Sequence, residues 1–349
     1  MAKSFSRGID VARIGACFMV VMLHIAAVEF HDVDERWWAS NFYDSFSRAG
    51  VPVFLMITGV LLLNRQEELS VFFRKRFMRV IPPLVFWSLF YLGWYTLQGQ
   101  DFGGLWTSMR TIIDGPVAFH LWYLYAIVGI YLFVPFMRHI WQASSRAEQR
   151  LYLALWMVVS AWPLLQTMLS SELDLLNTYE LGTFFGLMGY LFLGAYVHDT
   201  LSHRITTSAY WWLSVMLYIL FSLLTIAATW LYSLQLGQPD PLFYDYLSPV
   251  VIMASVCAFN LLYGVGVKAS KRDALSSQSW AVLKDLAAST LGIYCVHIFI
   301  LDLFKSSTEL LSGGDPGWWA IPAAAVLVFM MSWVFVSVLR MVRPLRHVM

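Results

Sequence analysis

Two ionisable side chains, Arg13 and His24, lie inside the first hydrophobic segment of the sequence. Charged and polar groups at membrane depth are costly, so such residues are candidates for a functional site. Eleven residues of α-helix make about three turns and rise about 16 Å, so both side chains are expected on one face. A neutral imidazole at pH 7 has the lone pair that a general base or a nucleophile needs. The spacing therefore predicts one wall of a polar cavity that enters the membrane.

Each of these two residues also has a simpler interpretation. Arg13 can pair with Asp10, one turn earlier on the same helix face, or it can project into the cavity as an anion-binding group. His24 can serve as a packing histidine that is bonded to a neighbouring carbonyl. The arginine on the same face favours the functional interpretation of the histidine.

A basic cluster of Arg74, Lys75, Arg76 and Arg79 precedes the third hydrophobic segment, which begins Val-Ile-Pro-Pro. Arg76 and Arg79 are three residues apart and therefore neighbours on a helix. Two interpretations stay open for this cluster. It is either a topology signal that binds anionic lipids, or a clamp for phosphate groups.

Further candidates occur at the start of the fourth segment and in the ninth. Tyr294 and His297 lie one turn apart on a helix, and a second histidine at membrane depth indicates either function or an interhelical hydrogen bond. His120 and Trp122 open the fourth segment, where they either contact a substrate or anchor the chain at the membrane interface.

The elements that position these residues are predicted to be transmembrane helices. The chain has 349 residues, of which 59% are hydrophobic and only 13% charged, whereas soluble domains carry about 25% charged residues. An all-α polytopic membrane protein is therefore predicted, with a helix-packing contact or a helix break at Thr58-Gly59. Ten hydrophobic segments have about the length needed to cross a bilayer, and they comprise residues 9–30, 49–63, 78–97, 121–137, 151–169, 181–197, 209–231, 247–267, 287–301 and 318–339.

The interruptions between these segments, such as 29–48, are about twenty residues at most, too short for another domain. Residues 1–349 are therefore expected to form a single membrane-embedded domain without a separate soluble domain.

The distribution of charge predicts the orientation of this domain. Of the 23 Lys and Arg residues, all fall on the side of the N-terminus except Arg36, Arg48, Arg110 and Lys305. The positive-inside rule then places both termini in the cytoplasm. Acidic residues, including Glu180, lean to the other side, where they either hydrogen-bond a neutral sugar or form a solvated rim. The net charge of +1 gives no indication of a nucleic-acid partner, and the three cysteines have no metal-ligand spacing.

Taken in order, these elements resemble the membrane acyltransferase-3 family over about residues 7–340. The stand-alone form is the most similar, especially the enterobacterial common antigen O-acetyltransferases at Ser47-Arg48-x-x-Val51-Pro52. Thr58 stands where the family usually has serine. The matching elements are Asp10-x-x-Arg13 with His24, the segment 51–59 (Val-Pro-Val-Phe-Leu-Met-Ile-Thr-Gly), Arg76-x-x-Arg79, His120-Leu121-Trp122-Tyr123, and Gly292-Ile293-Tyr294-x-x-His297.

The resemblance implies a multi-pass protein of the bacterial inner membrane that moves acyl groups, commonly acetyl. The donor is cytoplasmic acyl-CoA, with acetyl-CoA expected, and the acceptor is an extracytoplasmic sugar or a lipid-linked sugar of a surface polysaccharide. Some relatives carry an additional esterase domain, so the sugar here is expected to be acylated by the membrane domain itself or by a separate partner. Membrane lipids are the other expected partners, and no metal is expected.

Roles for individual residues follow from the resemblance together with their chemistry. His24 is expected to act as a general base or as a transient acyl carrier. Tyr294, His297 or a backbone amide is expected to stabilise the oxyanion. Arg76 and Arg79, helped by Arg74 and Lys75, are expected to hold the phosphates of the donor. Arg13 is expected to count among both the catalytic and the donor-binding residues, because the pantetheine arm passes it on the way to His24. The expected contacts of the acceptor are His120, Trp122 and Glu180.

Two other functions are compatible with the residues alone. A transporter or flippase for an anion or a lipid-linked sugar would use Arg13, His24 and His297 along its path. A membrane scaffold or sensor explains the number of segments but not the arginine and histidine on one face. The basic cluster on one side of the membrane favours the acyltransferase.

Overall fold

The computed structural model describes residues 2–31, 33–169, 173, 175–179, 186–307 and 317–349. Within these ranges the chain is helical and contains no β-strand. The helices are α1 (Ala2–Ala26), α2 (Glu35–Ser47), α3 (Gly50–Leu62), α4 (Leu69–Leu97), α5 (Leu105–Asp114), α6 (Trp122–Ala143), α7 (Arg146–Met168), α8 (Leu175–Thr178), α9 (Gly189–Leu201), α10 (Ser208–Leu236), α11 (Pro249–Lys271), α12 (Ser277–Ser307) and α13 (Ala320–Leu339).

In the described part of the chain, nine helical segments are long and apolar enough to cross a membrane. The prediction of an all-α multi-pass membrane protein is thereby confirmed. The predicted segment 181–197 begins at residues outside the described ranges and continues into α9. The nine segments are Lys3–Glu29, Glu35–Leu62, Leu69–Leu97, Phe119–Ala143, Arg146–Met168, Ser208–Leu236, Leu242–Lys271, Ser277–Phe304 and Ala320–Leu339.

The second segment differs from its prediction, because α2 and α3 together form one apolar segment, Glu35–Leu62. The interpretation of 29–48 as an interruption between spans was therefore wrong. Helix α2 was missed because its buried face carries polar side chains, including Asn41 and Asp44. These groups are paired inside the protein: Tyr244 donates a hydrogen bond to Asn41 at 2.6 Å, and Arg48 forms a salt bridge with Asp44.

Helices α3 and α9 pack closely through two glycines. A Cβ atom built on Gly59 would lie 1.9 Å from the carbonyl oxygen of Leu191, and one built on Gly194 would lie 2.3 Å from that of Met56. Only glycine permits such an approach between helix backbones, as at other membrane helix interfaces. Of the two predicted alternatives at Thr58-Gly59, the structure contains the tight packing contact, since α3 continues through both residues.

The two ends of the helix bundle differ in charge. The basic end is formed by the starts of α1, α4 and α12 and the ends of α3, α9 and α11. There Arg7 of α1 donates a hydrogen bond to Ser270 at 3.3 Å and lies over the ring of Trp280 at 4.0 Å. The opposite end is formed by the end of α1, the start of α2 and the residues before α13, where the Tyr43 hydroxyl donates to the Trp318 carbonyl at 2.8 Å.

Candidate functional site

Three histidines from different parts of the chain meet beside the last turn of α1. His24 belongs to α1, His120 to the short turn before α6, and His297 to α12. The rings of His24 and His297 stack with their centroids 5.0 Å apart, and the ring of His120 lies 5.1 Å from that of His297. His120 and His297 are fully buried, whereas His24 is half-buried. The structure therefore brings together His24 and His297, as the sequence suggested, and adds His120 to them as a histidine cluster.

The hydrogen bonds of this cluster fix which nitrogen of each ring carries the proton. Nδ1 of His297 lies 2.7 Å from the carbonyl oxygen of Tyr294, which can only accept, so this nitrogen is the donor. In a neutral ring Nε2 of His297 then has the lone pair, and it accepts a hydrogen bond from Nδ1 of His24 at 2.8 Å. Nε2 of His24 consequently keeps its lone pair, which is the state that a base or a nucleophile needs.

Tyr294 and His120 hold α12 against the start of α6. The Tyr294 hydroxyl donates a hydrogen bond to the backbone carbonyl of His120. Nε2 of His120 donates to the carbonyl of Cys295 at 3.2 Å, and the Tyr91 hydroxyl donates to the same carbonyl at 2.9 Å. The hydroxyl proton of Tyr294 is thus already engaged, and so are both ring nitrogens of His297. Neither candidate for oxyanion stabilisation has a free donor in this conformation.

A cavity of about 310 Å³ opens toward the basic end between α1, α3, α4, α6 and α12. Its charged lining consists of four arginines, Arg13, Arg65, Arg76 and Arg79. Within the described ranges, no salt bridge joins Arg13, Arg65 or Arg79 to an acidic side chain. The alternative pairing of Arg13 with Asp10 is therefore not formed, and the arginine faces the cavity.

The basic cluster before α4 is divided between the cavity and the surface. Arg76 and Arg79 line the cavity, whereas Arg74 and Lys75 are exposed and do not. Glu67 lies beside the cluster and forms salt bridges with Lys75 at 2.6 Å and with Arg76 at 3.3 Å. The hydrogen bond from the Lys75 ammonium lowers the pKa of Glu67, so this carboxylate is charged at neutral pH.

Arg65 is a cavity residue that the sequence reasoning missed. It lies in the loop between α3 and α4, and it precedes the basic cluster by nine residues. Its position in the sequence could have identified it, because Arg65 lies two residues after the predicted segment 49–63, which contains residues 51–59. The tight α3–α9 contact fixes that segment and therefore fixes where the loop begins.

A pair of tyrosines separates the cavity from the histidine cluster. The rings of Tyr123 and Tyr294 both line the cavity and lie 5.8 Å apart in an edge-to-face arrangement. The ring of Tyr294 also contacts His120 and His297, with centroids 5.8 and 6.0 Å away. His24 is not among the residues that line the cavity. Tyr294 therefore belongs to both compartments, and we call Tyr123 and Tyr294 the tyrosine layer.

On the other side of His24, the structure assembles aromatic rings and a buried ion pair. Phe119 is 58% exposed and meets the ring of His24 edge to face at 5.3 Å. Trp122 stacks on Tyr246 with centroids 5.7 Å apart. Arg48 acts electrostatically on His24, so it lies close to the histidine cluster. The sequence analysis had placed Arg48 outside the membrane, whereas it lies inside the span Glu35–Leu62.

Of the predicted acceptor contacts, His120 lies inside the histidine cluster and Trp122 beside Tyr246. Nδ1 of His120 is buried and has no hydrogen-bond partner among the described residues. Glu180 lies outside the described residues. In the same described ranges, no group of three or more His, Cys, Asp or Glu side chains could hold a metal ion.

The fold and the site define a multi-pass helical membrane protein with a buried histidine pair behind an arginine-lined cavity. The family model Acyl_transf_3, described as an acyltransferase domain, matches residues 6–337. The chain therefore belongs to this family and is a membrane acyltransferase. A search of curated proteins and a search of solved structures each find no match.

Proposed function

We propose that the protein is an O-acyltransferase that takes an acyl group, most simply acetyl, from acyl-CoA at the basic end. It passes this group to a hydroxyl of a sugar that enters from the opposite end. One observation carries this proposal: guanidinium groups that form no salt bridge in the described part of the chain and a histidine with a free lone pair lie on the two sides of one tyrosine layer. The basic end is then the cytoplasmic one, as the charge distribution predicts, and the family resemblance implies that the membrane is the bacterial inner membrane.

The donor subsite consists of the cavity and its arginines. The phosphates of CoA carry several negative charges, and guanidinium groups bind phosphate oxygens through two parallel N–H bonds. Arg13, Arg65 and Arg79 suit this role because none of them forms a salt bridge within the described ranges; Asp10 and Glu67 act on Arg13 and Arg65 only electrostatically. A cavity of about 310 Å³ is at the lower limit for a ligand pocket. The narrow pantetheine arm therefore enters it, while the nucleotide stays at the mouth, within reach of the exposed Arg74 and Lys75.

The chemical step takes place at Nε2 of His24. This nitrogen takes the proton of the sugar hydroxyl, and the sugar oxygen attacks the thioester carbonyl. The C–S bond then breaks, and the departing CoA thiolate takes the proton from His24. His297 positions His24 by accepting its Nδ1 hydrogen, as the third member of a catalytic triad orients the base. In the other variant Nε2 itself attacks the thioester, the C–S bond breaks and CoA leaves as the thiolate. The sugar hydroxyl then attacks the acyl-histidine, its proton passes to the CoA thiolate, and the C–N bond breaks to return neutral His24.

The tyrosine layer must move for either variant, because it lies between the cavity and His24. Rotation of Tyr294 breaks its hydrogen bond to the carbonyl of His120. The same rotation frees the Tyr294 hydroxyl to donate to the oxyanion of the tetrahedral intermediate. The same rotation of Tyr294 therefore admits the thioester and completes the oxyanion site, so donor binding and catalysis are coupled.

Membership of an acyltransferase family favours this proposal over a transporter or flippase. The test uses purified protein in nanodiscs, labelled acetyl-CoA, a crude glycan extract as acceptor, and the variant His24→Ala. We expect CoA release and transfer of label to glycan, both falling about 10²–10⁴-fold in the variant because a general base contributes that much.

The matched control is His139→Ala, which removes a histidine of α6 that is bonded only to the carbonyl of Pro135, away from the cluster. It should transfer acetyl at the rate of the natural protein. Normal transfer by a well-folded His24→Ala protein would overturn the mechanism. Transport of labelled CoA or sugar into vesicles, without acyl transfer, would replace it with the transporter.

A further inference from the structure

We propose that the Asp44–Arg48 ion pair and the Trp122–Tyr246 stack form the acceptor subsite, and that its ligand is an uncharged sugar ring. The inference rests on the proposed function in one respect only, namely that the bound hydroxyl faces His24. The binding of sugar itself can be tested without any acyl transfer.

The ion pair lies where α2 ends and α3 begins, inside a membrane-spanning segment. Nη2 of Arg48 donates a hydrogen bond to one oxygen of Asp44 at 2.7 Å, and Nε forms an ion-pair contact with the other oxygen at 2.5 Å without hydrogen-bond geometry. The Asp44 side chain is only 1% exposed. Burying two charges is costly, and apolar residues of similar volume often stabilise a protein better. An ion pair kept at membrane depth is therefore a candidate for function.

Charge decides which ligand this pair can bind. The carboxylate of Asp44 neutralises Arg48, so the pair has little attraction for an anion such as phosphate. A guanidinium has five N–H donors, of which one is hydrogen-bonded to Asp44, while Nε is buried and has no hydrogen-bond partner among the described residues. The Tyr244 ring lies under the guanidinium at 4.4 Å, so the donors that remain point outward along its edge. The Arg48 side chain is 16% exposed, and these donors suit neutral hydroxyl oxygens.

The aromatic stack lies directly beside the ion pair. Arg48 packs over the ring of Tyr244, two residues before Tyr246, and the ring of Tyr246 stacks on Trp122 with an angle of 24° between the ring planes. Both rings are half-buried. A pyranose ring has apolar C–H faces and a rim of hydroxyl groups. Aromatic faces next to a few fixed polar groups are the surface that such a ligand fits.

The same subsite adjoins the proposed base. Trp122 follows Phe119 by one helical turn, and the exposed ring of Phe119 contacts the ring of His24. Arg48 lies within electrostatic reach of His24 from the other side. A sugar held between Arg48 and Trp122 therefore enters past Phe119 and presents a hydroxyl near Nε2 of His24.

The experiment measures sugar binding directly, with methyl glycosides of glucose, galactose, mannose and N-acetylglucosamine as probes. Saturation-transfer NMR and the shift of the melting temperature report binding to the full-length protein in nanodiscs. The variants are the double substitution Asp44→Asn with Arg48→Gln, which leaves no unpaired charge, and Trp122→Ala. We expect at least one glycoside to bind saturably, and each variant to weaken it about tenfold or more, because a hydrogen bond to a charged group is lost or the aromatic platform is removed.

Three comparisons separate this site from a structural role. The control pair Arg110–Asp114 has the same spacing in α5, at 3.1 Å, but its side chains are 75% and 63% exposed, and its neutralisation should leave binding unchanged. Trp122→Phe should restore part of the affinity, and binding of acetyl-CoA should be unaltered in all variants. If the double variant fails to fold, Trp122→Ala decides the question.

Two results would overturn the inference: the natural protein binds none of the glycosides, or the variants bind them as well as it does. Saturable binding that persists in His24→Ala, together with no acyl transfer by the natural protein, would keep the sugar subsite and reject the proposed acyltransferase mechanism.

Discussion

Arginine is used in two opposite ways in this protein. At the basic end, Arg13, Arg65 and Arg79 line a cavity without a salt bridge to any acidic side chain in the described ranges. Near His24, by contrast, Arg48 forms a buried salt bridge and a hydrogen bond with Asp44 and is covered by the ring of Tyr244. The comparison teaches that the partner of an arginine, and not the arginine itself, indicates its ligand. An arginine without a salt bridge, which we call uncompensated, binds an anion. An arginine that is paired with a carboxylate, which we call compensated, offers hydrogen bonds to a neutral molecule.

The position of each group along the membrane explains this difference. Arg65 and Arg79 are exposed at the basic end, and Arg13, although it lies within a membrane-spanning segment, faces the cavity that opens to that end, so water and anions reach all three. Arg48 lies within a membrane-spanning segment, where an unpaired charge is costly. The carboxylate of Asp44, one helical turn earlier, neutralises this charge. Arg48 also lies at the carboxyl end of α2, where the helix dipole favours a cation.

The largest effect should follow when the compensated arginine loses its partner. Asp44→Ala leaves Arg48 buried and unpaired, and we expect a loss of about 3–5 kcal/mol in the free energy of unfolding. Arg79→Gln removes a charge at the basic end and should leave stability nearly unchanged. Chemical unfolding of the two variants in the same detergent measures both values. Equal stability of the two proteins would remove the distinction between the two kinds of arginine.

The second largest effect should be a change in the affinity for acyl-CoA. It should follow only when an uncompensated arginine of the cavity is replaced. Arg13→Gln and Arg79→Gln should each raise the KM for acyl-CoA about tenfold or more, since a hydrogen bond to a charged group contributes about 1.5–3 kcal/mol. The KM for the acceptor should stay constant. Steady-state kinetics with each substrate varied in turn separates the two constants. An increase that appears in the acceptor KM instead would contradict the assignment of the cavity to the donor.

The histidine pair lies between the two regions, so its loss should alter neither KM. His297→Ala removes the acceptor of the Nδ1 hydrogen of His24 and should lower kcat about tenfold, the value of roughly one buried hydrogen bond. His297→Gln offers a carbonyl oxygen as a replacement acceptor and should recover part of kcat. A pH profile of kcat serves as a second readout, because a role confined to packing would leave its shape unchanged.

The smallest effect concerns the anionic residue beside the cavity. Glu67→Gln releases Lys75 and Arg76 from their salt bridges, which frees two cations for the phosphates of the donor. We expect the Kd for CoA to fall by about threefold or less, since the Lys75 side chain is 50% exposed and an ion pair open to solvent contributes under about 1 kcal/mol. Isothermal titration with CoA measures the change. Weaker binding in this variant would mean that Glu67 positions Arg76 for the ligand instead of competing with it.

Much of the site could be predicted from sequence spacing, because helices convert spacing into direction. Arg13 was expected to face a cavity, and it does; Tyr294 and His297 were expected on one helix face, and both lie near His24. Sequence spacing could not predict which residues of different helices contact each other. The hydrogen bond from His24 to His297 joins residues 273 positions apart, and only the packing of α1 against α12 creates it.

The main failure concerned α2, and its cause is physical. Asn41 and Asp44 reduce the apolar character of this segment, so it was interpreted as lying outside the membrane. Inside the bundle these groups find partners in Tyr244 and Arg48, and the low hydropathy carries no penalty. Hydropathy scales score each residue separately. They therefore underestimate the membrane propensity of a helix whose polar side chains pair with partners inside the protein.

The tyrosine layer also bears on the electrical insulation of the membrane. An enzyme that handles one substrate from each side has a polar compartment at each end, and two such compartments in continuous contact would conduct protons down the membrane potential. The rings of Tyr123 and Tyr294 lie between the arginine cavity and the histidine cluster. The Tyr294 hydroxyl is hydrogen-bonded to the His120 carbonyl, so the tyrosine layer is held in place on the side away from the donor cavity. In the proposed mechanism, this layer keeps the two compartments apart between turnovers and prevents a continuous proton path across the bilayer.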